Sequence, residues 1–527
     1  MDADVTAQAT DSEATDSDTF DADAFDADAF DADAFDADAF DADVIIAGAG
    51  PTGLMLAGEL RLGGADVIVL ERLERPTGQS RGLGFTARAL ESFDQRGLVP
   101  RFGGLETSPM GHFGGVQFDF TALEDAHFGA RGIPQSRTEA VLEEWAVELG
   151  AGLRRGWELL GLAQDDDSVT VTAATPDGER RLRARYLVGA DGGHSLVRRT
   201  AGFSFPGTDA TRGMYLADVV GCSIPPRFLG ERVPAGMVMA APLAEGVDRI
   251  IVCEHGAPPA DRSSTPGFEE VAAAWQRLTG EDISGGSADW VSSFTDATRQ
   301  ASEYRRGRVL LAGDAAHIHL PAGGQGLSTG VQDAVNLGWK LAAVVRGGAP
   351  EGLLDTYHEE RHAAGARLLA NTLAQGTVFL GGEESEPLRT LFAGLIELDP
   401  VKRFLAGVVS HLDVRYDVGG EGEEDHPLLG RRLPPRVLTT ASGPVGTPTL
   451  LHSAQGLVLD LADDPDVREA AAGWKDRVSL VTGVPQDPDV FAGAAAVLVR
   501  PDGYVAWAGT GASGLGEALH RWFGTPA

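Results

Sequence analysis

The sequence predicts an α/β fold in several layers, and three observations carry that prediction. An apolar run, Val44 to Ala47, meets Gly48-Ala49-Gly50-Pro51-Thr52-Gly53, and a helical pattern then leads to a second run, Val67 to Leu70, that ends at Glu71. Residues 203 to 300 turn to alternating apolar segments that read as antiparallel strands. From about Pro434 short apolar strands alternate with helical stretches. The expected organisation is an acidic tail at 1–42, a Rossmann-like domain in two parts at 43–202 and 301–420, an inserted sheet domain at 203–300, and a small α/β domain at 421–527.

The glycine stretch has G-x-G-x-x-G spacing with an acid closing the second strand, the pattern of a dinucleotide site. Gly48 permits the tight turn, Gly50 lets a pyrophosphate approach the backbone, and Gly53 lets helix and strand pack closely, with Pro51 and Thr52 opening the helix whose N-terminus receives the phosphates. Glu71 is placed to accept hydrogen bonds from an adenosine ribose, and a carboxylate there repels a 2′-phosphate, favouring FAD or NAD over NADP.

Composition bounds the partners. The 527 residues carry a net charge of −35, which argues against nucleic acid or an anionic membrane. Residues 1–43 hold sixteen Asp and Glu and no Lys or Arg, so the remainder stands at −19, the −35 of the whole less the −16 of that stretch. A DADAF repeat places Phe20, Phe25, Phe30, Phe35 and Phe40 five residues apart, a step that lines no single face of a helix or strand, so the tail is expected to be disordered and dispensable for cofactor binding. Cys222 and Cys253 are the only cysteines, with no disulfide framework and no Cys-x-x-C pair, which fits a cytoplasmic protein. No uninterrupted apolar run is long enough to span a bilayer.

Further along, exposed-looking Arg72 and the Arg81-Gly82-Leu83-Gly84-Phe85 segment precede a helix expected over Thr86–Arg96 with Thr86 as N-cap. Arg81 can reach a pyrophosphate or a flavin edge with bidentate geometry. Gln135 opens another helical pattern ending near Leu149, and Tyr186 to Arg199 reads as a buried strand, a small-residue turn carrying Asp191, and a short helix. Gly307 to His317 delivers Asp314 to the end of a strand, and Pro321-Ala322-Gly323-Gly324-Gln325-Gly326 then starts a helix. Asp314 can accept from polyol hydroxyls, and the helix N-terminus offers amides to an anion such as the N1–C2=O edge of a reduced isoalloxazine, so the cofactor reads as FAD rather than NAD. The His317-x-His319 pair lacks a third ligand at metal spacing, so no metal is expected. A long helix follows over Leu354–Gln375. Strands are then expected at Leu450-Leu451, Gly456–Leu461, Val478–Val481, Ala496–Val499 and Val505–Trp507, with Pro501-Asp502-Gly503 as a hairpin turn.

Taken together, the glycine motif with Glu71, the Gly189-Ala190-Asp191-Gly192 segment and Gly313-Asp314 with its Pro321–Gly326 continuation resemble the single-component FAD-dependent aromatic hydroxylases of the para-hydroxybenzoate hydroxylase fold. Within that family Arg81 to Arg88 looks closest to the angucycline-type polyketide hydroxylases. The resemblance implies a FAD-binding domain of the GR2 type and a C-terminal thioredoxin-like domain, here without redox cysteines. It implies a cycle in which NADPH or NADH, visiting transiently, reduces FAD, O₂ adds to give a C4a-hydroperoxide, and a phenol-like carbon attacks its distal oxygen, in antibiotic biosynthesis. Gly48, Gly50, Gly53, Glu71, Arg72, Arg81, Gln135, Asp191 and Asp314 are then expected FAD contacts, with Pro321, Gly324, Gln325 and Gly326 beside the flavin ring. The family's Met-Asn after that glycine is Leu327-Ser328 here, so the Asn contact is not carried over. Phe85, His112, Phe113, Met237, Met239, Phe294 and Pro321 are the candidate pocket walls, and no catalytic acid or base is assigned. Two alternatives stay open, a Baeyer–Villiger oxygenation and a non-oxygenase flavin-binding partner, as does the oligomeric state, a homodimer included.

Overall fold

Burial on both faces is what Val44, Ile45 and Ile46, all 0% exposed, require, and a parallel sheet covered by helices supplies it. The computed structural model describes residues 39–103, 107–123, 125–259, 266–419 and 426–527; most of the DADAF tail, and with it the expectation of disorder, lies outside them. Phe40–Ala527 pack as one unit.

The central sheet runs in the order Arg305–Arg306, Val309–Leu311, Gly178–Gly189, Ala42–Ala47, Val67–Glu71, Gly152–Arg155. Its middle pairings are parallel: Ala47 lies opposite Gly189 and Leu70, and Gly189 opposite Leu311. Three strand ends that carry the sequence motifs are thereby brought to one edge. An antiparallel meander, Glu158–Gln164 and Val169–Thr175, extends the Gly178–Gly189 strand on the far side.

The inserted region forms a five-stranded antiparallel sheet, ordered Arg227–Val233, Gly236–Ala244, Val247–Glu254, Gly213–Val220, Ser287–Thr295, with the helix Phe268–Thr279 packed on it through buried Trp275 and Val271. The C-terminal strands Val478–Thr482, Gly456–Asp460, Ala496–Val499 and Val505–Gly509 form one sheet, parallel in its first pair and antiparallel in the rest. Leu450-Leu451 is a 3₁₀ turn over Thr449–Leu451 instead of a strand, because Pro448 ahead of it sits in helical φ/ψ and Leu451 is pulled into the core.

Two helix expectations shift. The helix expected at Thr86 runs Ala87–Asp94, and Thr86 stands at the N-cap without a side-chain cap bond, its N–H donating instead to Ser328 Oγ at 2.9 Å. The long helix spans Asp355–Leu380, five residues past its expected end, since Val378 and Leu380 bury against the hairpin Met110–Asp119 and the inserted sheet.

Candidate active site

The nucleotide cradle follows from glycine geometry. Gly48 has φ +103°, and a Cβ there would stand 2.5 Å from Ala190 O; a Cβ on Gly53 would stand 2.0 Å from Gly48 O. Next to Gly50 the same test finds open space. Gly50 is the N-cap of the Pro51–Leu62 helix and makes no side-chain cap bond, so uncapped first-turn amides face a gap, the arrangement that takes an anion. Thr52 is occupied otherwise: its hydroxyl is clasped where Cβ atoms on Gly313 and Gly330 would fall, at 2.7 and 2.3 Å, which explains why both are glycine.

Glu71 Oε2 accepts from Ala49 N and Oε1 from Leu73 N, both at 2.9 Å, so the acid braces the glycine turn while each oxygen keeps lone-pair capacity for a hydroxyl. Asp191 Oδ2 accepts from Val197 N at 3.1 Å, but Oδ1 is buried with no partner. Burial pushes its carboxyl up from the usual aspartate value, against the downward pull of Ser195 and the Val197 and Leu196 amides. An orphaned carboxylate oxygen beside an open glycine turn is what a hydroxyl- and phosphate-bearing ligand would satisfy. The cradle fits a dinucleotide.

Asp314 lies deep in the molecule and is still open to solvent, the combination expected of a wall of an internal cleft. Burial raises its pKa; His317 and Arg81 pull it back down. Arg81, Pro321 and Gly324 are exposed near it in sequence or charge, whereas Gly326 is half-buried against His319; Arg72 is exposed next to Glu71.

Beneath this loop lies a cluster that sequence reasoning did not assemble. Asp333 Oδ2 accepts from Gly313 N (3.0 Å) and pairs with His317 Nε2 (2.7 Å), and Oδ1 accepts from Arg361 Nε (2.7 Å). Burial pushes the Asp333 carboxyl up, but Arg361 and His317 outweigh it and hold it below the usual range. His317 is thus engaged with Asp333, and His319 places Nδ1 on Leu320 O at 2.7 Å, with burial pushing its pKa down to about 4. Among the described residues no group of three His, Cys, Asp or Glu could hold a metal.

Several of the expected site residues have partners of their own. Gln325 turns its side chain inward: Nε2 donates to Ala322 O (3.0 Å), and Oε1 accepts from Asn371 Nδ2 (2.9 Å) and pairs with His411 Nε2 (3.1 Å) in the buried interior. Gln135 closes a bridge, accepting from Gly82 N (3.2 Å) and donating to Glu139 (2.8 Å), so it fixes the Arg81 loop. Of the pocket walls, Met237, Met239 and Phe294 share one apolar cluster with Leu320, Ala322 and Phe379, next to Pro321, and the His112 ring lies tilted beside Phe379, centroids 6.3 Å apart. Phe85 and Phe113 do not join it, because Phe85 packs edge-on to Phe93 in the main core and Phe113 against Phe392 in another.

Comparison with known proteins finds relatives over nearly the whole chain. A FAD binding domain family matches residues 41–372, and the family described as aromatic-ring hydroxylase, C-terminal, matches 426–526. The chain is similar to the crystal structure of CabE, an aromatic hydroxylase from angucycline biosynthesis, at 61% identity and a TM-score of 0.89, covering 92% of this chain and 100% of that one. It is 45% identical to the 12-dehydrotetracycline 5-monooxygenase/anhydrotetracycline 6-monooxygenase of Streptomyces rimosus, over 92% of this chain and 99% of the relative. It is also 41% identical, over 92% and 99%, to the dialkyldecalin synthase of Streptomyces rugosporus.

Proposed function

The chain belongs to the family of FAD-dependent aromatic-ring hydroxylases, and from that premise we propose that it hydroxylates a polycyclic aromatic polyketide of angucycline type, in the cytoplasm, with O₂ and NAD(P)H. The observation that carries the reading is the apolar cluster of Met237, Met239 and Phe294 with Leu320 and Ala322, the two residues that flank exposed Pro321, with 61% identity to an aromatic hydroxylase from angucycline biosynthesis over 92% of the chain in support.

FAD, when bound, supplies the hydride acceptance and oxygen activation. This chain's residues hold and orient it. The Gly48–Gly53 turn and the uncapped helix amides take the pyrophosphate, Glu71 takes the adenosine ribose, and Asp191 Oδ1 finds there the donor it lacks. Asp314 accepts from the ribitol, and Arg81 supplies positive charge on the same side. The Ala322–Gly324 backbone, pinned from below through Gln325, fronts the ring. Met237, Met239 and Phe294 exclude water and present a flat apolar wall to a fused aromatic system. No helix among the described residues is long and apolar enough to cross a membrane.

A second reading rests on the dialkyldecalin synthase likeness: a flavin-binding biosynthetic enzyme without oxygenase turnover. Recording the visible spectrum, then following NADPH oxidation and product mass under air with and without a tetracyclic angucyclinone, separates the two. Substrate-dependent NADPH consumption with a product heavier by one oxygen supports hydroxylation. Bound flavin that never turns over supports the second reading, and a ring-opened ester or lactone points to Baeyer–Villiger chemistry.

A further inference from the structure

His112 sits on the hairpin formed by Met110–Phe113 and Val116–Asp119, two residues before a Gly114-Gly115 turn whose φ values of +56° and +81° suit glycine. Gly115 N–H donates to His112 Nδ1 at 3.3 Å. Burial pushes the His112 pKa down and so keeps the ring neutral. A neutral imidazole that accepts at Nδ1 carries its proton on Nε2. Among the described residues no protein group accepts from that Nε2–H, and the atom is not sealed from solvent.

The neighbours of the ring place it beside the apolar cluster of Met237 and Phe294. Its centroid lies 6.3 Å from that of Phe379, which packs with Met237, Phe294 and Leu320. Gln375 Oε1 accepts from Gly114 N at 3.2 Å, and the same Gln375 amide lies against Gly323, so the hairpin is held in register with the Ala322–Gly324 loop. Arg389 donates to Gly114 O (3.1 Å) and Val378 O (3.2 Å), which ties the turn to the end of the Asp355–Leu380 helix. A lone fixed donor beside an apolar cluster suits one kind of partner, an electron-rich oxygen on an aromatic ring.

We propose that His112 is the polar substrate contact of this cleft: its Nε2–H donates to a phenolate or quinone oxygen and selects fused aromatic substrates that carry one. The inference rests on the proposed function and deepens it. The bland alternative is that His112 only holds the Gly114-Gly115 turn through Nδ1.

Two conservative substitutions separate these roles. Gln at 112 puts an amide nitrogen near the Nε2 position, whereas Asn puts an acceptor near Nδ1 and nothing near Nε2. The probe is alizarin, a dihydroxyanthraquinone whose anion absorbs at longer wavelength than oxidised flavin, titrated into FAD-loaded enzyme. Wild type and H112Q should bind the dye as its anion, while H112N and H112F bind it about tenfold more weakly, as expected for losing a hydrogen bond to a charged oxygen. Dye binding kept by H112N and lost by H112Q assigns His112 to the turn alone and overturns the proposal, as does equal binding by all four proteins or no binding by wild type. Flavin retention is measured on each sample: a wild-type protein that holds no FAD overturns the proposed function and this inference with it, while one that holds FAD and ignores the substitutions overturns this inference alone.

Discussion

Glu360 and Arg361 are neighbours on one helix, and each belongs to a different buried ionic cluster. Arg361 reaches Asp333, which also binds His317 and the Gly313 amide directly under the cleft. Glu360 faces the other way: it pairs with Arg500 through Nη1 (2.5 Å) and Nη2 (2.9 Å) and with Lys340 (2.8 Å), while Arg500 also binds Asp502. Arg88 and Arg96 add bonds to Asp502 O (2.7 Å) and Pro501 O (2.8 Å), so the turn of the C-terminal sheet is clamped to the rest of the molecule. One cluster shapes the site; the other docks a domain. Burying charge is costly in either place, so equal burial does not imply equal purpose.

The largest expected effect comes from D333N. It leaves the Arg361 guanidinium buried without its counter-charge, at a cost of about 3–5 kcal/mol, and loosens the Gly313 turn. Denaturant melting and the ratio of bound flavin to protein should both fall. R500M sharpens the contrast. Lys340 stays to neutralise Glu360 while Asp502 loses its guanidinium, so the loss should be about 3 kcal/mol, the low end for a broken buried pair, and the folded fraction should keep its flavin. If R500M sheds flavin as readily as D333N, the two clusters are not separable.

The pH response sharpens it further. Burial raises the Glu360 pKa, but Arg500 and Lys340 outweigh it and hold it at about 2 against an ordinary 4.5. The unfolded chain therefore binds the proton first, and the stabilisation is present above 4.5 and lost as pH falls towards about 2. Burial lowers Lys340 from 10.5 to about 8, offset in part by Glu360, so on that side stability rises as pH goes from about 8 to 10.5. Melting curves of wild type against E360Q should show a shallower acid limb in the variant. The smallest effect is expected from Q325A, which removes the bonds to Ala322, Asn371 and His411 at roughly 1–3 kcal/mol and weakens flavin retention through the loop above.

Local signals made half of this readable from sequence. The Gly48 and Gly53 requirements, the acid at Glu71 and the strand end at Asp314 are each set by a few adjacent residues, and the parallel sheet follows from unbroken apolar runs. Partners far apart in the chain were not readable. Pro501-Asp502-Gly503 has the composition of a solvent hairpin, yet Asp502 is 1% exposed because Arg88, over 400 residues away, lies against it. Gln325 follows a glycine pair at a helix start, where nothing local marks the course of its side chain; His411, in left-handed φ at the end of the Asp399–Ser410 helix, and Asn371 draw it inward. Burial holds His411 neutral at about 3, which lets it accept from Gln332 and donate to Gln325 at once. Such polar networks leave no periodic trace, since each member is an ordinary helix residue until the fold closes on it.

The most direct test of the account is the origin of the new oxygen: FAD-loaded enzyme, NADPH and a tetracyclic angucyclinone are allowed to react under ¹⁸O₂ in ordinary water, and the product is weighed. The account predicts one heavy oxygen incorporated into an intact ring system, from O₂ and not from water. An unlabelled product, or substrate returned unchanged while flavin stays bound, would contradict it.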